Sequence, residues 1–289
     1  MRIGVIGNGF VGKATSLLEC KDIDLIVYDI VPEICRPIGT TLYDICKCDL
    51  VFISVPTPMN KNGSCHINIL KNVISDVRKI QNKLNIEHLI IVNRCTVPVG
   101  TSDDLNCNFM PEFLTEKNFK EDFINNPDWI FGLNKSKSKN TNELFKNKIT
   151  NLINLSYKNS CIKSNRVHFV NNKEAEMIKL FRNNFLSTKI AFCNEIYEFS
   201  QLCGMNYETV RELATRDPRI GPSHTNVPGH DGKFGYGGTC FPKDTNNLLH
   251  QMKEKGMKSY IVKSTIERNE EVDRSEKDWN SNKGRAVID

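Results

Sequence analysis

The chain has 289 residues, of which 39% are hydrophobic and 25% charged, with a formal net charge of +5. That length allows two domains, and no apolar run approaches the ~20 residues a membrane-spanning helix needs. The modest positive charge, with no basic face interleaved with aromatics, argues against nucleic acid as a partner. The eleven cysteines are scattered, without CxxC pairs or a secretory leader, and Cys46 and Cys48 have neither zinc nor redox spacing. Six histidines show no metal-ligand spacing. Free thiols in a reducing, cytoplasmic setting, with no metal and no membrane, are therefore expected.

Residues 1–6 read as a short strand, followed by Gly7-Asn8-Gly9-Phe10-Val11-Gly12, a helix over 13–20 and a strand over 24–28 that ends at Asp29. This is GxGxxG in the context it requires, with a strand before, a helix after and an acid beyond. Gly7 allows the tight turn, Gly9 lets the backbone approach a pyrophosphate, and Gly12 permits close helix–strand packing. Asp29 is placed to accept hydrogen bonds from an adenosine ribose, and its charge favours NAD over NADP.

The alternation continues with a buried strand over 50–55 that stops at Pro56-Thr57-Pro58, a helix over 67–84 and a strand over 89–93. That strand leads into Arg94-Cys95-Thr96-Val97-Pro98-Val99-Gly100-Thr101. Polar turns at such strand ends lie on the carboxyl edge of a parallel sheet, where open α/β sheets bind ligands. On sequence alone, Thr57 and Thr96 are equally ordinary turn residues. A short strand over 107–110 precedes Met110-Pro111-Glu112-Phe113-Leu114-Thr115-Glu116, with the two glutamates one helical turn apart if a helix begins at Pro111. A turn at 127–132 leads into another strand. Residues 136–156 read as a polar loop with a surface helix, and 166–170 as the last strand.

The second half is helical. Residues 172–203 carry neither Pro nor Gly, and Gly204 is a plausible helix terminator. Ile178, Phe181, Phe185, Phe192, Ile196 and Phe199 form an apolar stripe suited to a long buried or interdomain helix, about 48 Å at 1.5 Å per residue. It reads as the spine of a second domain and a dimer interface. Lys179 and Asn183 border the stripe as i, i+4 neighbours, by default a snorkelling lysine and a surface asparagine. A helix over 207–215 is followed by a Gly/Pro/His-rich loop over 216–233. Residues 267–289 read as a solvated extension.

The segment from Phe234 to Thr245, FGYGGTCFPKDT, sets three glycines before Cys240 and places Pro242, Lys243 and Asp244 after it. A glycine loop thus presents a thiol near a helix start, with an ammonium three residues on and a carboxylate four on. A helix N-terminus and a nearby cation both favour thiolate, which makes Cys240 a candidate nucleophile.

Taken in order, GNGFVG, SVPTP, TVPVGT, PEFL with a following Glu, KLFRNNF, DPRIG and FGYGGTCFPKD resemble the UDP-glucose/GDP-mannose dehydrogenase family across the chain. The resemblance implies an α/β fold, with a Rossmann-like doubly wound NAD-binding domain over 1–171. A helical domain built on the long helix would occupy 172–289. It also implies four-electron oxidation of a nucleotide-sugar primary alcohol to a carboxylate with two NAD⁺, UDP-glucose to UDP-glucuronate above all, through a Cys240 thiohemiacetal and thioester. By the same resemblance Lys179 and Asn183 stabilise the alkoxide, and Thr96, Glu112 and Asp244 form the acid/base and water-positioning group. Cofactor contacts map to Gly7, Gly9, Phe10, Val11, Gly12, Asp29, Thr57, Cys95, Glu116 and Lys243. Substrate contacts map to Phe113, Leu114, Lys179, Asn183, Arg219, Phe234, Tyr236 and Gly237, with Arg219 reaching the neighbouring subunit of a homodimer. Cys95, Met110 and Lys117 depart from the family's usual Ser, Asn and Gly. Typical members continue into a third, UDP-binding domain, and this chain stops at its threshold. An N-acetylated UDP-hexosamine or GDP-mannose dehydrogenase, a simple β-hydroxyacid dehydrogenase and a weakly active NAD- or sugar-binding remnant are the alternatives.

Overall fold

A computed structural model describes residues 1–288. The chain divides into two compact units, Met1–Thr57 with Ile67–Lys179, and Pro58–His66 with Leu180–Asp289; residue 289 itself lies outside the described residues.

The first unit runs β1 (Arg2–Ile6), α1 (Phe10–Thr15), β2 (Asp24–Tyr28), α2 (Leu42–Ile45), β3 (Leu50–Ile53), α3 (Asn68–Lys83) and β4 (Ile90–Asn93). It continues with α4 (Thr101–Asp104), β5 (Asn108–Phe109), α5 (Phe119–Ile124), β6 (Trp129–Leu133), α6 (Lys139–Lys158) and β7 (Val167–Asn171). The strands form one seven-stranded sheet in the order β2-β1-β3-β4-β5-β6-β7. Every pairing is parallel except β5 with β6.

Strand side chains alternate between faces, and here each set finds its own core. Ile3, Val5, Leu25, Leu50, Phe52 and Val92 pack with Phe123, Phe145, Ile149 and Leu152, which lie on α5 and α6. Ile26, Val51, Ile53 and Ile91 pack instead with Ile45 of α2 and Leu70, Ile74 and Val77 of α3. Burial on both faces explains the near-continuous apolar runs of these strands. Because β1, β3 and β4 are parallel, the segments that follow them emerge at one carboxyl edge. Gly7 N–H donates to Tyr28 O at 2.9 Å, Ser54 N–H to Ile6 O at 2.8 Å and Arg94 N–H to Ile53 O at 2.9 Å.

Two expectations in this unit are corrected. The expected polar loop with a surface helix over 136–156 is nearly all helix: α6 has 20 residues, and its buried face carries Phe145, Ile149, Leu152 and Ile153. The lysines occupy the other face of an amphipathic helix. No helix begins at Pro111 either; the first one after it starts at Phe119. The Glu112 carboxylate instead accepts the Leu114 N–H at 2.6 Å, which turns the chain locally.

Helix α7 (Asn172–Leu202) passes through the boundary at Lys179–Leu180. The second unit adds α8 (Tyr207–Ala214), α9 (Phe241–Glu254) and α10 (Ile261–Arg268). Here α7 reverses the expected polarity. Phe181, Phe185, Phe192 and Phe199 are 57–63% exposed, whereas Asn183, Asn184, Ser187, Asn194 and Ser200 are buried. Most inward donors find backbone acceptors: Ser187 Oγ donates to Asn183 O, Asn194 Nδ2 to Ile190 O and Ser200 Oγ to Ile196 O, at 2.7–2.9 Å, whereas Asn184 Oδ1 is buried without a partner.

The last residues are also no solvated extension. Asn269–Asp273 form a π-helical turn, Trp279 is 2% exposed, and Arg274 is buried with ion pairs to Asp231 (2.7 Å) and Asp278 (2.8 Å). Val287 pairs with Met59 in a parallel bridge. The charges that suggest a tail are the partners that hold it down.

Candidate active site and cofactor loop

In the first unit the glycine loop links β1 to α1. Gly7 has φ +91°, and a Cβ on Gly12 would be driven into the Gly7 carbonyl oxygen. Gly9 is the N-cap of α1; no side chain caps that end, and a Cβ on Gly9 would project into space with nothing within 4 Å. At the end of β2, Asp29 Oδ2 accepts Asn8 N–H at 2.6 Å and Oδ1 accepts Val31 N–H at 3.0 Å. The acid is therefore tied to the loop backbone. Uncapped N–H groups, an open glycine and a carboxylate one strand over suit a dinucleotide. Phe10 and Val11 form the first turn of α1.

The remaining carboxyl-edge residues converge within this unit. Thr57 Oγ1 donates to Thr96 O at 2.8 Å, which joins the segments after β3 and β4. Cys95 N–H is held by Asn93 Oδ1 at 2.8 Å, and its thiol faces Ile53 O at 3.5 Å. Glu112 and Lys179 form a buried ion pair, Nζ to Oε2 at 3.0 Å, with side-chain exposures of 6% and 3%. Such a pair is worth little net stability, but removing one partner is costly. Lys179 is thus not snorkelling. Phe113 and Leu114 are half-buried, and Glu116 is exposed.

In the second unit Cys240 is the N-cap of α9, with Pro242 at the helix start. Its thiol is half-buried and 3.8 Å from Thr239 Oγ1, while its carbonyl accepts Asp244 N–H at 2.9 Å. Asp244 is fully buried, and its two carboxylate oxygens are divided. Oδ1 takes Lys243 Nζ at 2.6 Å and Oδ2 takes Asn183 Nδ2 at 2.6 Å. Asn184 Nδ2 reaches the Asp244 carbonyl at 3.3 Å. Burial disfavours the Lys243 charge, but Asp244, with smaller contributions from Cys65 and Cys240, lifts its ammonium above the usual lysine range. Asn183 is therefore a buried donor on α7, not a surface amide.

The glycines before Cys240 are packed as well as flexible. Gly235 has φ +63°, and its Cβ would strike Asn269 Oδ1; a Cβ on Gly237 would stand 2.6 Å from the Arg274 guanidinium carbon. Asn269 accepts Tyr236 N–H at 2.7 Å and donates to Tyr236 O at 2.9 Å, while Asn194 accepts Gly235 N–H at 3.1 Å. Tyr236 is buried and Phe234 is 44% exposed. Arg219 is exposed and paired with Asp217.

Besides Asn184 and Asn194, four residues of these networks escape sequence reasoning. Glu176, one turn before Lys179, accepts the N–H groups of Gly100 (2.5 Å) and Ser102 (2.8 Å) and so ties the segment after β4 to α7. Burial pushes its carboxyl up to about 7. Arg94 is buried, donates to Thr15 Oγ1 and lies 5.6 Å from the Phe123 ring centroid. Burial lowers its guanidinium to about 10 against the opposing charge of Glu112. Asn269 and Arg274 are the other two. The only sequence signal for any of them is a polar residue inside an apolar or helical context.

With this geometry in place, comparison with known proteins gives a consistent result. The NAD binding domain of the UDP-glucose/GDP-mannose dehydrogenase family matches residues 37–149, and that family's central domain matches 173–271. The UDP-glucose 6-dehydrogenase TuaD of Bacillus subtilis is 31% identical over 99% of this chain and 68% of its own length. The UDP-glucose 6-dehydrogenase YwqF of the same organism is 30% identical over 86% of this chain, which spans 61% of that relative. A UDP-glucose dehydrogenase from Pyrobaculum islandicum superposes with a TM-score of 0.78 at 22% identity, over 93% of this chain and 68% of that one. The chain belongs to the UDP-glucose/GDP-mannose dehydrogenase family. Its first domain is of the family's NAD-binding type, and NAD is its cofactor.

Proposed function

We propose that this chain oxidises the C6 alcohol of a nucleotide sugar to the uronate, most directly UDP-glucose to UDP-glucuronate, with Cys240 as nucleophile. Residues 1–171 would act as the NAD-binding domain and 172–289 as the helical domain that carries the thiol. The observation that carries this reading is the Lys243–Asp244–Asn183 network buried behind the Cys240 N-cap. A buried, fully partnered carboxylate four residues from a half-buried thiol has no packing rationale of its own.

NAD⁺, held by Gly7, Gly9, Phe10, Val11, Gly12 and Asp29 with Thr57, Cys95, Glu116 and Lys243 as further contacts, would accept a hydride in each two-electron step. Lys179 and Asn183 stabilise the alkoxide by charge and hydrogen bonding. The Cys240 sulfur adds to the C6 aldehyde, and the resulting hemithioacetal oxygen takes a proton. After the second oxidation, water attacks the thioester carbonyl, positioned by Thr96, Glu112 and Asp244, and the Cys240 thiolate leaves. Phe113, Leu114, Phe234, Tyr236, Gly237 and Arg219 serve the substrate, Arg219 in the neighbouring subunit. The partner is a second copy, supported by the exposed α7 stripe of Phe181, Phe185, Phe192, Phe199 and the 81%-exposed Leu202.

The test is NADH formation on UDP-glucose, an N-acetylated UDP-hexosamine and GDP-mannose, with product analysis. Two NADH per sugar are expected, and Cys240→Ser should lower uronate release by at least about 10³-fold. Undiminished release in that variant sinks the covalent route. One NADH per substrate points instead to simple hydroxyacid-type oxidation. Tight NAD⁺ binding with no turnover on the panel marks a binding module.

A further inference from the structure

The sheet's other edge carries a second polar feature, and none of the proposed chemistry uses it. At the amino-terminal end of β5, the turn Asn106-Cys107-Asn108 is bracketed by two cations. Arg78, on α3, donates from Nη2 to Asn106 O at 2.8 Å and from Nη1 to Gln81 Oε1 at 2.9 Å. Lys137, in the loop after β6, donates from Nζ to Asn108 Oδ1 at 3.1 Å. Asn106 itself has φ +50°, a left-handed residue that turns the chain between the two.

What sets the pair apart is the missing counter-charge. Among the described residues no carboxylate acts on Arg78 or Lys137, and both are half-buried. The remaining titratable group facing both is Cys107, which is fully buried with its thiol pushed up to about 12, so it is neutral at ordinary pH. Burial lowers the Arg78 guanidinium, and burial together with Arg78 lowers the Lys137 ammonium to about 8. Two partly desolvated charges of one sign raise each other's cost, which an anion beside both offsets.

We propose that Arg78 and Lys137 form a binding site for a phosphate-class dianion on the edge of the sheet opposite the glycine loop. A guanidinium and an ammonium on the two sides of one turn carry N–H donors of the kind phosphate oxygens accept, and two positive charges suit a dianion. An anion there favours charged Lys137, so binding takes up protons at and above pH 8. The titratable groups that act on Lys137 are Arg78 and Cys107, and of the three Lys137 is the one that titrates near pH 8.

The experiment is calorimetric titration of the whole chain with inorganic phosphate, with NAD⁺ present to occupy the glycine loop. Glucose 1-phosphate and UDP run in parallel to tell free phosphate from a phosphoryl group on a larger molecule. One saturable phosphate site is expected, weakened about 10-fold or more by either Arg78→Met or Lys137→Met. Titrations at pH 8.5 in buffers of different ionisation enthalpy should show proton uptake that Lys137→Met abolishes. Thermal unfolding of both variants, with Arg78→Gln and Lys137→Gln alongside, separates lost binding from lost folding. Absence of saturable binding at millimolar phosphate overturns the proposal. So does binding that survives in both variants.

Discussion

The two units solve the problem of a core in opposite ways. In the first, alternate residues of parallel strands fill two apolar layers, with Ile3, Val5, Phe52 and Val92 on one side and Val51, Ile53 and Ile91 on the other. In the second, the inward face of α7 sets amides and hydroxyls among Leu180, Ala191 and Cys193, while its phenylalanines point to solvent. The apolar layers tolerate substitution so long as volume is kept. A hydrogen-bonded core does not, because each buried donor or acceptor left unpaired costs its desolvation. Specificity of position is what the second arrangement supplies: the segment that carries Cys240 is held at Phe234, Gly235, Tyr236 and Asp244 by Arg274, Asn194, Asn269 and Asn183.

The largest break in that contrast comes from Asp244→Ala. It leaves Lys243 buried without its counter-charge and Asn183 without its acceptor, and it should cost about 3–5 kcal/mol. Urea unfolding checks this. A matched large-to-small change in the sheet, Ile53→Val, should cost about 1 kcal/mol. Equal losses would show that the polar network is no stiffer than the apolar layers.

Glu176 tests a polar clamp inside the apolar unit. Its carboxyl titrates near 7 in the fold and near 4.5 when unfolded. Between those values the folded state binds the extra proton, so stability falls as pH rises from 4.5 to 7 and is flat above. The contribution is about 3 kcal/mol, and Glu176→Gln should remove that slope. The check is the difference between variant and parent unfolding free energies measured across pH 4.5–8; a parallel pair of curves would refute the burial argument.

Gly237→Ala probes packing behind the thiol. Its Cβ meets the Arg274 guanidinium, which two carboxylates hold. A loss of about 1–3 kcal/mol is expected, together with faster amide exchange over 234–240. Gly9→Ala, whose Cβ meets nothing, should leave stability within about 0.5 kcal/mol and weaken NAD⁺ binding instead.

The smallest effect belongs to the outward stripe. Phe192→Ser should change the unfolding free energy of the isolated chain by no more than about 0.5 kcal/mol. If a second copy covers the stripe, the same change lowers the sedimentation coefficient. A sedimentation profile identical to the parent's, with both monomeric, would remove the dimer from the functional proposal.

Much of the first unit was legible because its signals are local. A strand, a glycine turn, a helix and an acid in sequence specify β1 to β2, and uninterrupted apolar runs mark strands buried on both faces. What is missed there is extent: a surface helix is expected in 136–156, but the many lysines of α6 hide how far Phe145, Ile149 and Leu152 carry it and that they form a buried face. The candidate site was legible only in part. FGYGGTCFPKD announces a thiol at a helix start, and that is where α9 places Cys240. Periodicity could not reveal that Lys179 and Asn183 face inward, because the aromatic stripe beside them reads as the buried face of any amphipathic helix.

By itself, then, the sequence determined the doubly wound sheet, the glycine loop with Asp29, the long helix and the thiol at the start of α9, all consequences of neighbouring residues. Tertiary structure decided which face of α7 turns inward, that Glu112 pairs with Lys179 and Asp244 with Lys243 and Asn183, and that residues 269–288 fold back onto Met59 and the glycines before Cys240. Apart from the adjacent Lys243 and Asp244, those outcomes depend on groups 33 or more positions apart meeting as donor and acceptor, or as charge and counter-charge. A buried polar group is stable only once its partner is in place, and a linear pattern of hydrophobicity carries no record of that partner.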